Sequence, residues 1–80
     1  MVKQHVTFTF SEEALKEPII YNLSQQFNII TNIRSADLSS DKGWVTLELQ
    51  GKKENIEQGI AWATSKGVRV DPAAENDMEN

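Results

Sequence analysis

The sequence predicts an α+β domain in the order β-α-β-β-α-β, a four-stranded antiparallel sheet with two helices on one face. Three observations predict it. Residues 2–10 and 44–50 alternate apolar and polar side chains with period two, as half-buried strands do. Residues 18–27 and 53–66 carry apolar side chains at helical spacing. Ser39-Ser40-Asp41-Lys42-Gly43 is a turn cluster that joins two strand-like stretches into a hairpin.

In the first strand Val2, Val6, Phe8 and Phe10 share one face, and Lys3, His5, Thr7 and Thr9 the other. Residues 11–16 are polar. Ser11 is suited to cap a helical turn there, but Pro18 argues against a continuous helix, since an interior proline loses a hydrogen bond and clashes with the turn before it. The stretch is therefore read as a loop, and the first helix starts near Glu17–Pro18, where proline is well tolerated. Ile19, Ile20, Leu23 and Phe27 form its apolar stripe.

Residues 29–39 read as the second strand. Ile29, Ile30 and Ile33 do not share a parity, which calls for a bulge or a twist. Trp44 to Gln50 is the third strand, with Val45, Leu47 and Leu49 on one face and Trp44, Thr46, Glu48 and Gln50 on the other. Gly51 ends it. The second helix follows over 53–66, with Ile56, Ile60 and Ala63 inward and Glu54 and Glu57 in the first turn, where the helix dipole favours negative charge. Gly67 fits the left-handed position that stops a helix. Val68-Arg69-Val70 is the last strand, closed by Pro72. The domain is expected to span residues 1–71, followed by an acidic disordered tail over 72–80. This order is the ferredoxin-like split βαβ arrangement.

The 80 residues are 39% hydrophobic and 25% charged, with a net charge of −4 and no cysteine. The absence of cysteine excludes disulfides, thiolate metal sites and Cys nucleophiles. A net negative charge disfavours nucleic acid, whose phosphates demand the opposite sign. The third strand also lacks the basic residue and interleaved aromatics that ferredoxin-like RNA binders use for base stacking. No apolar run approaches the roughly 20 residues needed to span a bilayer, and no signal peptide is visible, so a cytoplasmic location is expected. His5, the single histidine, has no HxH or HxxxH partner and reads as a strand surface residue. Glu12, Glu13 and Glu17 read as solvated, and Ser11 as a cap with no base beside it. Neither a catalytic residue, a metal site nor a cofactor is expected.

A sheet with both helices on one face leaves the other open. Here it carries His5, Thr7, Thr9, Trp44, Thr46 and Glu48. A tryptophan among threonines suggests an interaction surface, and Trp44, Thr46 and Thr7 are the expected interface residues. A domain this small gains stability from association, so a homodimer is expected.

Glu17-Pro18-Ile19-Ile20, Leu23-Ser24-Gln25-Gln26-Phe27-Asn28-Ile29, Asn32-Ile33-Arg34, the run Gly43 to Gly51, Ala61-Trp62 and Gly67-Val68 together resemble the NIL domain, over roughly residues 4–71. The resemblance implies a ferredoxin-like fold similar to ACT domains. It implies a regulatory role of the kind the family plays at the C-terminus of the ATPase subunits of methionine-type ABC importers, or fused to ferredoxin-type proteins. The family's Asn-Ile-Leu motif maps onto Asn32 and Ile33, with Arg34 in place of leucine. The implied ligand is a small amino acid, methionine first, held near a dimer interface by Asn32 with Ile33 and Arg34 adjacent. An amide offers donors and an acceptor to such a ligand, and Arg34 could clamp its carboxylate. The alternative is a ligand-free dimerisation or interaction module using the open sheet face.

Overall fold

The computed structural model describes residues 1–73. The elements are β1 (Val2–Phe10), α1 (Glu12–Leu15), α2 (Ile19–Phe27), β2 (Ile30–Leu38), β3 (Gly43–Gly51), α3 (Lys53–Ser65) and β4 (Arg69–Pro72). The strands form one antiparallel sheet in the order β2-β3-β1-β4, with α2 and α3 on the same face. This is the expected ferredoxin-like architecture.

The core lies between the helices and the two central strands. Val6, Phe8 and Phe10 of β1 and Val45, Leu47 and Leu49 of β3 are buried against Ile19 and Leu23 of α2 and Ile56 and Ala63 of α3. Phe8 and Phe10 meet edge to face, with ring centroids 6.1 Å apart. Trp62 packs on Phe27 at 5.8 Å, with the Lys66 ammonium 5.8 Å from the indole centroid.

The first correction falls on residues 11–16, which fold into α1 instead of a loop. Ser11 caps it, its Oγ accepting the Ala14 N–H at 3.3 Å, and Ala14 is buried. The turn forms because it seals the edge of the core and satisfies its own cap. Pro18 still breaks the chain between α1 and α2. It takes the N-cap position, so α2 starts at Ile19, two residues beyond Glu17. Asn28 in the left-handed conformation (φ 54°) ends α2, and Gly67 (φ 90°) follows the C-cap of α3.

The last strand runs to Pro72, two residues past Val70. It pairs Val6 with Pro72 and Phe8 with Val70, and the Ala73 N–H donates to the His5 carbonyl at 2.9 Å. Proline is tolerated because β4 is an edge strand. Residues 74–80, the larger part of the expected tail, lie outside the described residues.

The bulge anticipated in β2 is at Arg34. Ile33 pairs with Leu47 and Ser35 with Thr46, leaving Arg34 as the extra residue. The bulge reverses the parity of the strand. Before it, Ile30 and Asn32 share the open face with Gln50 and Glu48. After it, Ser35 and Asp37 do, opposite Thr46 and Trp44.

Candidate functional site

The paired registers lay out the open face as rows across the sheet. Asn32, Glu48 and His5 form one row; Ser35, Thr46, Thr7 and Asp71 the next; Asp37, Trp44, Thr9 and Arg69 the last before the β2–β3 turn. Strand pairing brings these residues together from across the chain, and the face is polar throughout except for Trp44 and Ile30.

Glu48 is the electrostatic centre of the face. Its Oε2 accepts a hydrogen bond from His5 Nε2 at 3.1 Å, and an Arg34 guanidinium nitrogen lies 3.7 Å away. The Glu48 and His5 side chains are only 12% and 15% exposed. The His5 hydrogen bond pulls the Glu48 carboxyl below its ordinary value. Partial burial opposes this, and the nearby charges of Lys3, Arg34 and His5 add to the lowering. In the next row Thr7 and Thr46 share a hydrogen bond between hydroxyls 3.0 Å apart. Arg69 is held by Asp71 at 3.0 Å.

The residues expected from the sequence are divided by this arrangement. Asn32 sits exposed on the open face at the sheet edge. Arg34 lies on the same side in the bulge, committed to Glu48. Ile33 points to the helix side, since it pairs with inward-facing Leu47, and it stays 56% exposed because the helices cover little of β2. The three are thus not one pocket. Trp44, Thr46 and Thr7 do share the open face, with Trp44 39% exposed.

Two concavities flank β2. On the helix side a groove of about 230 Å³ is lined by Phe10, Leu15, Pro18, Ile20, Tyr21 and Leu38 among others. On the open face a hollow of about 330 Å³ lies at the hairpin end, lined by Thr9, Asp37, Ser39, Lys42, Gly43 and Trp44. The turn beside it is fixed by the Ser39 N–H and Ser39 Oγ, which both donate to the Lys42 carbonyl at 2.9 Å. Neither Asp37 nor Lys42 is in an ion pair among the described residues. Sequence reasoning passed over both. Asp37 joins the face of Trp44 only because the bulge at Arg34 shifts parity, and the alternation pattern does not say where in β2 the extra residue falls.

β2 itself is an uncovered edge. Ile30, Ile33 and Leu38 are 55–56% exposed along it. Among the described residues no helix is long and apolar enough to cross a membrane, and no group of three or more His, Asp or Glu could hold a metal ion.

An antiparallel sheet with one open face and an uncovered edge defines the chain as a small ferredoxin-like α+β domain, and fold alone does not set function. Residues 4–72 match the NIL domain family, and the chain belongs to it. Its fold is similar to the C-terminal domain of an ABC transporter ATP-binding protein from Enterococcus faecalis, with a TM-score of 0.79 and 21% identity over 90% of this chain and 84% of that one. No curated protein matches the chain.

Proposed function

We propose that this domain is a non-catalytic regulatory module that binds a small amino acid, methionine first, on the open face beside a homodimer interface made along β2. It acts in the cytoplasm next to the ATP-binding part of an ABC importer, or next to a ferredoxin-type protein. Family membership over residues 4–72 supports the regulatory class, and the Enterococcus neighbour, itself a C-terminal domain of an ATP-binding protein, fits that setting. The observation that carries the reading is the edge strand β2. It presents nine residues of backbone with three exposed large apolar side chains, and it carries Asn32 on the open face. Free strand edges pair readily, and natural proteins otherwise cover or blunt them. Ligand held where two such edges meet biases their association, because a ligand shifts an equilibrium by its differential affinity for the two states.

The test is thermal denaturation and sedimentation velocity with and without free L-methionine. A ligand at about 100 times its Kd stabilises the folded state by about 2.7 kcal/mol, and each kcal/mol raises Tm by about 4–8 °C in a domain of this size. No shift with any amino acid overturns the ligand. The exposed Trp44 and Ile30 on a mostly polar face favour the second reading, a ligand-free interaction module. In that case Trp44→Ala weakens association while amino acids have no effect.

A further inference from the structure

We propose that the end of β2 nearest the hairpin turn is a two-register switch. Ser35–Leu38 slip by one residue along β3 and absorb the bulge at Arg34, and the slip turns a guarded sheet edge into a continuous one that accepts a partner strand. The inference rests on the reading of β2 as the association edge and names what regulates it.

The bulge divides β2 into two stretches in different registers. Ile30–Ile33 pair in unbroken order with Gln50 back to Leu47, and Ser35–Leu38 pair with Thr46 back to Gly43, one step out of that order. Carrying the first register past Ile33 places Arg34 opposite Thr46, Ser35 opposite Val45, Ala36 opposite Trp44 and Asp37 opposite Gly43. The core does not oppose this. Every residue from Asn32 to Leu38 is exposed, on whichever face it stands. Asp37 therefore moves between two exposed positions, and a strand with no buried face has a weakly specified register. The turn is not decisive either. Hairpin loops of two residues favour the primed turns, which need positive φ, and neither Ser40 nor Asp41 adopts it. The slipped strand closes over the loop Leu38–Lys42, a length that hairpins also use.

Two contacts hold the observed register. The Ser39 N–H and Oγ both donate to the Lys42 carbonyl at 2.9 Å. Leu38 lies over Gly43, where a Cβ would collide with Leu38 Cδ2 and press on the Asp37 carbonyl oxygen at 3.0 Å. Both contacts are lost on slipping, because Leu38 enters the loop and Gly43 then faces Asp37.

The register also sets the outer edge. In an antiparallel ladder the residues bonded to the neighbour alternate with residues whose N–H and C=O point away. The Ser39 bond to Lys42 fixes that phase, so Ala36 and Leu38 point outward after the bulge, and Thr31 and Ile33 before it. The step from Ile33 to Ala36 is one residue too long for a regular partner strand. After the slip the outward residues are Thr31, Ile33, Ser35 and Asp37, in regular alternation. A bulge is one of the devices by which natural sheets keep an edge from pairing.

The experiment compares the 80-residue chain with Leu38→Ala, Gly43→Ala and a deletion of Arg34. The deletion removes the extra residue and keeps every other pair, so it straightens the edge without a slip. In ¹⁵N relaxation dispersion the wild type should show exchange on the μs–ms scale confined to residues 34–43, from a minor state of about 1–10%. Leu38→Ala and Gly43→Ala should each raise that population, with cross-strand NOEs of Ala36 moving from Val45 to Trp44. Leu38→Ala leaves Gly43 in place and stands alone if Gly43→Ala fails to fold. The deletion should be free of this exchange, and in sedimentation velocity it should self-associate at least about tenfold more tightly than the wild type. Flat dispersion in both the wild type and Leu38→Ala, or exchange that persists in the deletion, overturns the slip. Association left unchanged or weakened by the deletion overturns the guard. If both chains stay monomeric, the association reading falls with the guard, and the dispersion still decides the slip. No amino acid enters these measurements, so the ligand reading is judged separately.

Discussion

Glu48 and His5 stand at directly paired positions of β3 and β1, their side chains joined by a 3.1 Å hydrogen bond on the open face. The pair ties the two central strands on the side the helices do not cover. Because the folded-state pKa of Glu48 is lowered, its contribution to stability is present above the ordinary glutamate value of about 4.3. It is lost as pH falls through the lower folded value. Urea denaturation of the wild type between pH 3 and 7 should show an acid limb that Glu48→Gln flattens. An unchanged limb means that other carboxylates set it.

Ile33 and Leu38 are both more than half exposed on the edge strand. Replacing Ile33 with Lys should abolish self-association in sedimentation velocity and change monomer stability by less than about 0.5 kcal/mol, as surface substitutions generally do. An edge lysine also blocks strand pairing directly. Association that survives Ile33→Lys places the interface elsewhere.

Gly67 holds φ at +90°, and an added Cβ would meet only Ser11 Oγ at 3.8 Å. Space is therefore not the constraint; the backbone conformation is. Gly67→Ala should cost about 1–2 kcal/mol, a Tm loss of about 4–16 °C. Gly67→Asn, which tolerates the left-handed region better, should recover part of it.

Gly59 lets α3 approach α2 and the residue before β2. A Cβ there falls 2.7 Å from Leu23 Cδ1 and 2.8 Å from Ile29 Cδ1. Alanine gains up to about 1 kcal/mol of helix propensity, but crowding a packed core costs about 1–3 kcal/mol. Gly59→Ala should therefore be net destabilising. Combining it with Ile29→Val should cost less than the two changes added, a coupling that a double-mutant cycle in urea measures.

The central strands were legible because each is covered on one face only. Val6, Phe8 and Phe10 in β1, and Val45, Leu47 and Leu49 in β3, alternate with polar residues as the sheet demands. β2 was harder to read because the helices cover little of it, so almost every side chain in it is exposed and no burial constraint enforces a pattern. The mixed parity of Ile29, Ile30 and Ile33 lies before the bulge and reflects Ile30 standing exposed on the open face, so it could not locate the extra residue at Arg34, on which the placement of Ser35 to Leu38 depends. Residues 11–15 misled in the opposite direction. Ser11, Ala14 and Leu15 carried the signals of a capped turn, but Pro18 argued only against continuing the helix, not against a short one before it.

The register of the sheet also sets how the chain finds its fold. The β2–β3 hairpin closes over a turn of a few residues and can form early, on the microsecond scale typical of hairpins. The ladder between Val6 and Pro72 joins residues near opposite ends of the described chain. Its loop-closure entropy is the largest in the sheet. β4 therefore docks last, onto a β1 already seated against β3. Substitutions in β4 should act mainly on the rate of unfolding and leave the rate of folding nearly untouched, whereas substitutions in the β1–β3 ladder should slow folding itself.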